Sequence, residues 1–127
     1  MKTTPIIPVI PAFFFLLLVA APPVSFADSA TSEMAQILLH LNHRPSSDEK
    51  QELREIANSD HASKGERALA TAMLNMNHKV ADADRERLRE LAQDGAAPAA
   101  ERELAGILLR LTHKASAADK ERLQRLR

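Results

Sequence analysis

Three stretches decide the fold: residues 34–57, MAQILLHLNHRPSSDEKQELREIA; residues 69–92, LATAMLNMNHKVADADRERLRELA; and residues 104–127, LAGILLRLTHKASAADKERLQRLR. Each is the previous one displaced by 35 residues, with no insertion. Four columns are identical in all three copies: Ala35/Ala70/Ala105, Leu39/Leu74/Leu109, His43/His78/His113 and Leu53/Leu88/Leu123. Others keep their class, notably Arg44/Lys79/Lys114, Lys50/Arg85/Lys120 and Ile56/Leu91/Leu126. Self-similarity at a fixed period of this size marks a repeat architecture.

Each copy reads as two helices. In the middle copy Leu69, Ala70, Ala72, Met73, Leu74 and Met76 cover most of the first helix's surface, so that helix should be buried on more than one side. Asn42 and Asn77 follow at one column, before His and a basic residue. Asn tolerates the left-handed conformation that ends a helix, and cations favour its C-terminal end. The second helix opens on Ser46-x-x-Glu49 and Ser116-x-x-Asp119, the spacing of a capping box. In copy two Ala81 breaks that column, and Asp82 is expected to cap one residue later. Leu53, Ile56 and Ala57 face inward on an otherwise charged helix. Ser63-x-x-Glu66 is a further cap signal, and Pro98, at the corresponding column of the next copy, suits a first helical turn. The expected fold is all-α: three tandem 35-residue helix-turn-helix repeats, about 28–62, 63–97 and 98–127, stacked as a short α-solenoid.

Leu91-Ala92-x-Asp94, followed by Glu101-Arg102-x-Leu104-Ala105-x-x-Leu108, resembles the short HEAT-like helical repeats, which commonly read L-x-x-L-x-D and then V-R-x-x-A-x-x-A-L. Glu101 stands where that family usually has an apolar residue, and Asn77-His78-Lys79 where a Gly-Asp turn is common. The resemblance implies a curved stack of hairpins used for protein binding and no catalytic residues. The Trp, Tyr, Phe and Gly landmarks of tetratricopeptide repeats are absent.

Ahead of the repeats the composition changes. Lys2 is the only charge before Asp28, Ala12 to Ala21 is the unbroken apolar run AFFFLLLVAA, and two prolines lead to Ser25-Phe26-Ala27. This is the pattern of a signal peptide over residues 1–27, cleaved between Ala27 and Asp28, and it implies a periplasmic or secreted protein. The run is shorter than the roughly 20 apolar residues of a spanning helix, so no stable membrane span is expected after cleavage. Without residues 1–27 the chain keeps no Phe, Tyr or Trp, and 16 Lys+Arg stand against 17 Asp+Glu. Nucleic acid is therefore an unlikely partner class: there is neither a cationic face for duplex nor an aromatic platform for single strands. The absence of cysteine removes disulfides, cysteine metal sites and a lipid-modified N-terminal Cys.

Three features bear on function. End repeats of solenoids usually carry a polar outer face, yet the first and third copies are as apolar as the middle one. Exposed apolar surface is thus expected at the ends, and the candidate contact residues for a protein partner or for self-association are Leu104, Ile107, Leu108 and Leu111, with Arg122 and Arg125 of the final helix. Charge drifts along the second helices, from −2 over residues 48–55 to −1 over 82–90 and +2 over 119–127, counted from the sequence. Histidines offer the alternative. His40 and His43 lie three apart on one helix, a spacing that suits a shared ion. The recurring His43, His78 and His113 are expected to cap or pack at the hairpin turns, because equivalent helices in a row about 8–10 Å apart would keep three ligands from one metal. Ser59-Asp60-His61-Ala62-Ser63 holds nucleophile and base side by side in sequence, but a triad converges from separate segments. The leading expectation is an exported interaction module that is not an enzyme and needs no cofactor. Histidine-based metal buffering and an inhibitor or immunity-type role are the alternatives.

Overall fold

The computed structural model describes residues 26–127 and contains six α-helices: α1 (Phe26–His40), α2 (Ser47–Asn58), α3 (Lys64–Asn75), α4 (Asp82–Gln93), α5 (Ala99–Arg110) and α6 (Ala117–Arg125). Among the described residues there is no named β-strand. The helices alternate at the 35-residue period that the repeat predicts, and neighbours along the chain pack in pairs, most extensively α2 with α3 and α4 with α5. Most of the proposed signal peptide, residues 1–25, lies outside the described residues, and no helix within them is long and apolar enough to cross a membrane.

Helix starts follow the cap signals. The Ser46 side chain accepts the Glu49 N–H at 3.2 Å, while the Ser46 N–H donates to Glu49 Oε2 at 2.7 Å, a complete capping box. Ser63 and Ser116 cap α3 and α6 by accepting the N–H of Glu66 and Asp119. The second copy departs from expectation. Asp82 is the first residue inside α4, and the capping position is Ala81, which offers no side-chain bond. There the Asp84 N–H donates instead to the Ala81 carbonyl at 3.0 Å. The Asp84 side chain, buried, accepts from Asn75 Nδ2 at 3.2 Å. Pro98 sits one residue outside α5 rather than within its first turn.

The first helix of each hairpin is interior. The columns Met34/Leu69/Leu104, Ala35/Ala70/Ala105, Ile37/Ala72/Ile107, Leu38/Met73/Leu108 and Leu41/Met76/Leu111 are buried throughout. Leu53, Leu88 and Leu123 reach in from the outer helices and are wholly inaccessible. Each such side chain contributes about 1.5–3 kcal/mol by leaving water.

The stack of hairpins closes on itself. Helices α1, α3 and α5 all touch one another, and each outer helix packs on the inner helix of the next copy: α2 on α3, α4 on α5, and α6 back on α1. The result is a ring of three hairpins about a pseudo-threefold axis. The apolar ends expected of an open stack are consequently absent. Leu104, Ile107, Leu108 and Leu111 are core residues, and so are Met34, Ile37, Leu38 and Leu41 of the first copy. Each terminal copy covers the other, which removes the need for polar capping repeats.

Candidate metal centre

Ring closure brings the three hairpin turns together, and with them the repeated histidines. Inner helices end at His40, Asn75 and Arg110, and the chain then makes a sharp three-residue turn centred on His43, His78 or His113. The Arg44 N–H donates to the Asn42 carbonyl at 3.0 Å and the Lys114 N–H to the Thr112 carbonyl at 2.6 Å. In the second copy the Asn77 N–H donates to the Lys79 carbonyl at 3.2 Å. All three histidines have positive φ, at 72°, 66° and 63°, and they are the only non-glycine residues among those described to do so. The left-handed conformation therefore falls one residue beyond the asparagine column expected to adopt it. For a residue with a Cβ it costs about 1–2 kcal/mol, incurred here three times.

A cyclic set of main-chain bonds holds the three strained residues in place. The His43 N–H donates to the His113 carbonyl at 2.8 Å, the His78 N–H to the His43 carbonyl at 3.0 Å, and the His113 N–H to the His78 carbonyl at 2.7 Å. The bond from His43 to His113 joins the first copy to the last. Each histidine thereby uses its own amide and carbonyl on its two neighbours, and the backbone of the cluster is organised before any ligand arrives.

The side chains converge on the axis. Nδ1 of His43 lies 3.1 Å from that of His78 and 3.2 Å from that of His113, and the latter two are 3.1 Å apart. The rings meet edge to face, with centroids 4.9–5.2 Å apart. All three residues are exposed at one end of the ring. The expectation that the histidines stand too far apart to share an ion is thus overturned. It assumed a linear row, whereas the hairpins surround an axis and their turns meet there.

Hydrogen bonding alone does not satisfy this triangle. A neutral imidazole nitrogen either carries a proton and donates or lacks one and accepts. Three mutually adjacent Nδ1 atoms must therefore include at least one like pair, donor against donor or lone pair against lone pair. A cation on the axis resolves all three contacts at once, because every Nδ1 can then present its lone pair. His43, His78 and His113 would hold such an ion through three imidazole nitrogens and leave further coordination positions open, a donor set that suits zinc and its neighbours.

The remaining histidines lie elsewhere. The expected pairing of His40 with His43 does not form. α1 ends at His40, whose Nδ1 donates to the Gln36 carbonyl at 3.0 Å, whereas the partners of His43 come from 35 and 70 residues away. His61 is exposed in the loop after α2, where its N–H donates to Ser59 Oγ at 3.2 Å. Ser63 is engaged as the α3 cap. Of the expected contact residues, Arg122 and Arg125 are exposed on α6.

At the opposite end of the inner helices the repeat column Thr31/Glu66/Glu101 is also buried. Ser63 Oγ donates to Glu101 Oε1 at 2.6 Å. Gly65 lets Glu101 approach the first turn of α3, since a Cβ there would collide with its carboxylate. Glu66 is completely enclosed, and neither of its carboxylate oxygens is in hydrogen-bonding geometry with a donor. Burial holds its pKa above the ordinary carboxylate value, Ser63 pulls it back down in part, and the neighbouring Glu101 charge adds to the rise.

Comparison with protein-family models, with curated proteins and with solved structures finds no match to this chain. The ring of three helical hairpins and its histidine cluster therefore stand on their own geometry.

Proposed function

We propose that this protein binds a transition-metal ion, zinc being the reference case, through Nδ1 of His43, His78 and His113. A single observation carries the reading: three imidazole nitrogens 3.1–3.2 Å apart on one axis, a triangle that hydrogen bonds cannot complete. The three left-handed histidines support it, because strained backbone held in place by its surroundings is characteristic of working sites. Carrying or buffering a metal is the role that needs nothing beyond the cluster itself. The charge-poor apolar run and Ser25-Phe26-Ala27 support export, which would place this activity in the periplasm or outside the cell.

The adaptor role implied by the HEAT-like resemblance is the weaker reading. Its apolar contact residues belong to the core, so it rests on Arg122 and Arg125.

The test is zinc titration of the chain in competition with a chromophoric chelator. One tight equivalent is expected, lost in His78→Ala and retained in His40→Ala and His61→Ala. Binding that survives His78→Ala, or that disappears with His40→Ala, would overturn the assignment.

A further inference from the structure

A metal on three imidazoles keeps its full charge, since neutral histidine nitrogen contributes none. Among the described residues the only group of three or more His, Cys, Asp or Glu side chains poised to share an ion is His43, His78 and His113 themselves, so no carboxylate joins them. The residues that directly follow the ligands in the chain add positive charge. Arg44, Lys79 and Lys114 each directly follow one of the three histidines, so the pseudo-threefold axis that relates the ligands also relates three cations. All three cations are exposed, and none is in an ion pair among the described residues, where the two pairs present are Arg89–Glu86 and Arg110–Asp119. The nearest carboxylates belong to the starts of the outer helices, where Asp82 lines the same recess as Lys79.

A divalent ion with an open coordination face, each of whose ligands is directly followed in the chain by an exposed cation outside any ion pair, is electrostatically incomplete. Neutral water can fill the open positions but offsets charge only by ionising, whereas an oxyanion brings its charge with it. We infer that the metal-loaded centre takes a small oxyanion as its exogenous ligand, one oxygen on the metal and the rest of the anion facing Arg44, Lys79 and Lys114. A tetrahedral oxyanion of the phosphate type matches the threefold arrangement, with one oxygen on the axis and three around it. Guanidinium and ammonium groups are the side chains suited to those outer oxygens. This inference rests on the metal reading and adds to it the class of ligand that the metal presents or retains.

The experiment uses the full chain loaded with cobalt(II), whose visible spectrum reports the ligands of the ion, and inorganic phosphate as the probe. The first arm records the spectrum on cobalt addition, and the second titrates phosphate into the cobalt form and into the metal-free chain. Saturable spectral change in the cobalt form is expected, with phosphate binding the metal-free chain at least about 10-fold more weakly. The double variant Lys79→Gln/Lys114→Gln should weaken phosphate on the order of 10-fold while cobalt affinity is kept, because surface charge acts on the anion without touching the ligands. If cobalt binds but phosphate leaves the spectrum unchanged, strips the metal, or binds the double variant equally well, the oxyanion inference is overturned and the metal reading stands. If cobalt does not bind, both fall.

Discussion

The two ends of the inner helices present one repeat in opposite ways. At the C-terminal end the three copies carry the same residue, His43, His78 and His113, with the same left-handed backbone, exposed to solvent. At the N-terminal end the equivalent positions are Thr31, Glu66 and Glu101, all buried, and the threefold pattern is broken. The physical reason lies in charge. Three imidazoles in the neutral form converge without charge repulsion, and they become mutually supportive once they share a cation. Three buried carboxylates would lose their hydration and repel one another; burial, and to a lesser degree the Glu101 charge, already raises the pKa of Glu66. A threonine in the first copy keeps the number of carboxyl groups at two. Symmetry persists where the proposed shared ion would require three identical donors and is relaxed where identity would be costly.

Removing one histidine should break this contrast most visibly. His78→Ala is expected to lower zinc affinity by at least about 100-fold, given that even an outer-sphere partner of a ligand is worth about 10–100-fold. The readout is chelator competition, with helical circular dichroism showing that the ring remains folded. For the intact chain, zinc at 100 times its dissociation constant should add about 2.7 kcal/mol. That corresponds to a melting temperature higher by roughly 10 °C or more, an increment that His78→Ala should lack.

The buried end responds to pH in a definite direction. Because the folded-state pKa of Glu66 is raised, the folded chain holds its proton more tightly than the unfolded chain. The stability tied to that proton is fully present below the ordinary carboxylate pKa and is lost as pH rises through the folded value. Glu66→Gln, which cannot ionise and can donate to Glu101, should therefore raise the melting temperature at about pH 8. The gain should shrink toward about pH 4, where Glu66 is itself protonated. Thermal melts of both proteins across that range check the sign.

A smaller effect separates strain from ligation at the histidine end. His113→Gly and His113→Ala both remove a ligand, but only glycine adopts positive φ without penalty. In the metal-free state the glycine variant should be more stable than the alanine variant by about 1 kcal/mol. Equal stabilities in chemical denaturation would mean that the left-handed turns store no strain.

Much of this was readable from the sequence. The period, the paired helices, the serine caps and the buried columns all follow from residue class and spacing, because helix periodicity and cap chemistry are local. Closure of the ring was not readable. Whether the third hairpin meets the first depends on the rotation between neighbouring hairpins, which depends on how closely the inner helices approach. The invariant, fully buried Ala35/Ala70/Ala105 column permits a close approach, but a small residue does not by itself specify an angle. Without closure, three equivalent histidines look like a row of turn residues, and terminal leucines look exposed. The available signal was the combination of an identical histidine column with equally apolar first and last copies. In a chain of three repeats those two features are reconciled when the ends cover each other.

Whether one ion is held by three histidines from three different repeats is read most directly by X-ray absorption at the metal edge of the zinc form, at one equivalent per chain. The expected result is three imidazole nitrogens at about 2.0–2.1 Å, with the remaining coordination supplied by an exogenous oxygen donor. A zinc form showing only one or two imidazoles, or with the same count in His78→Ala as in the parent chain, would contradict it.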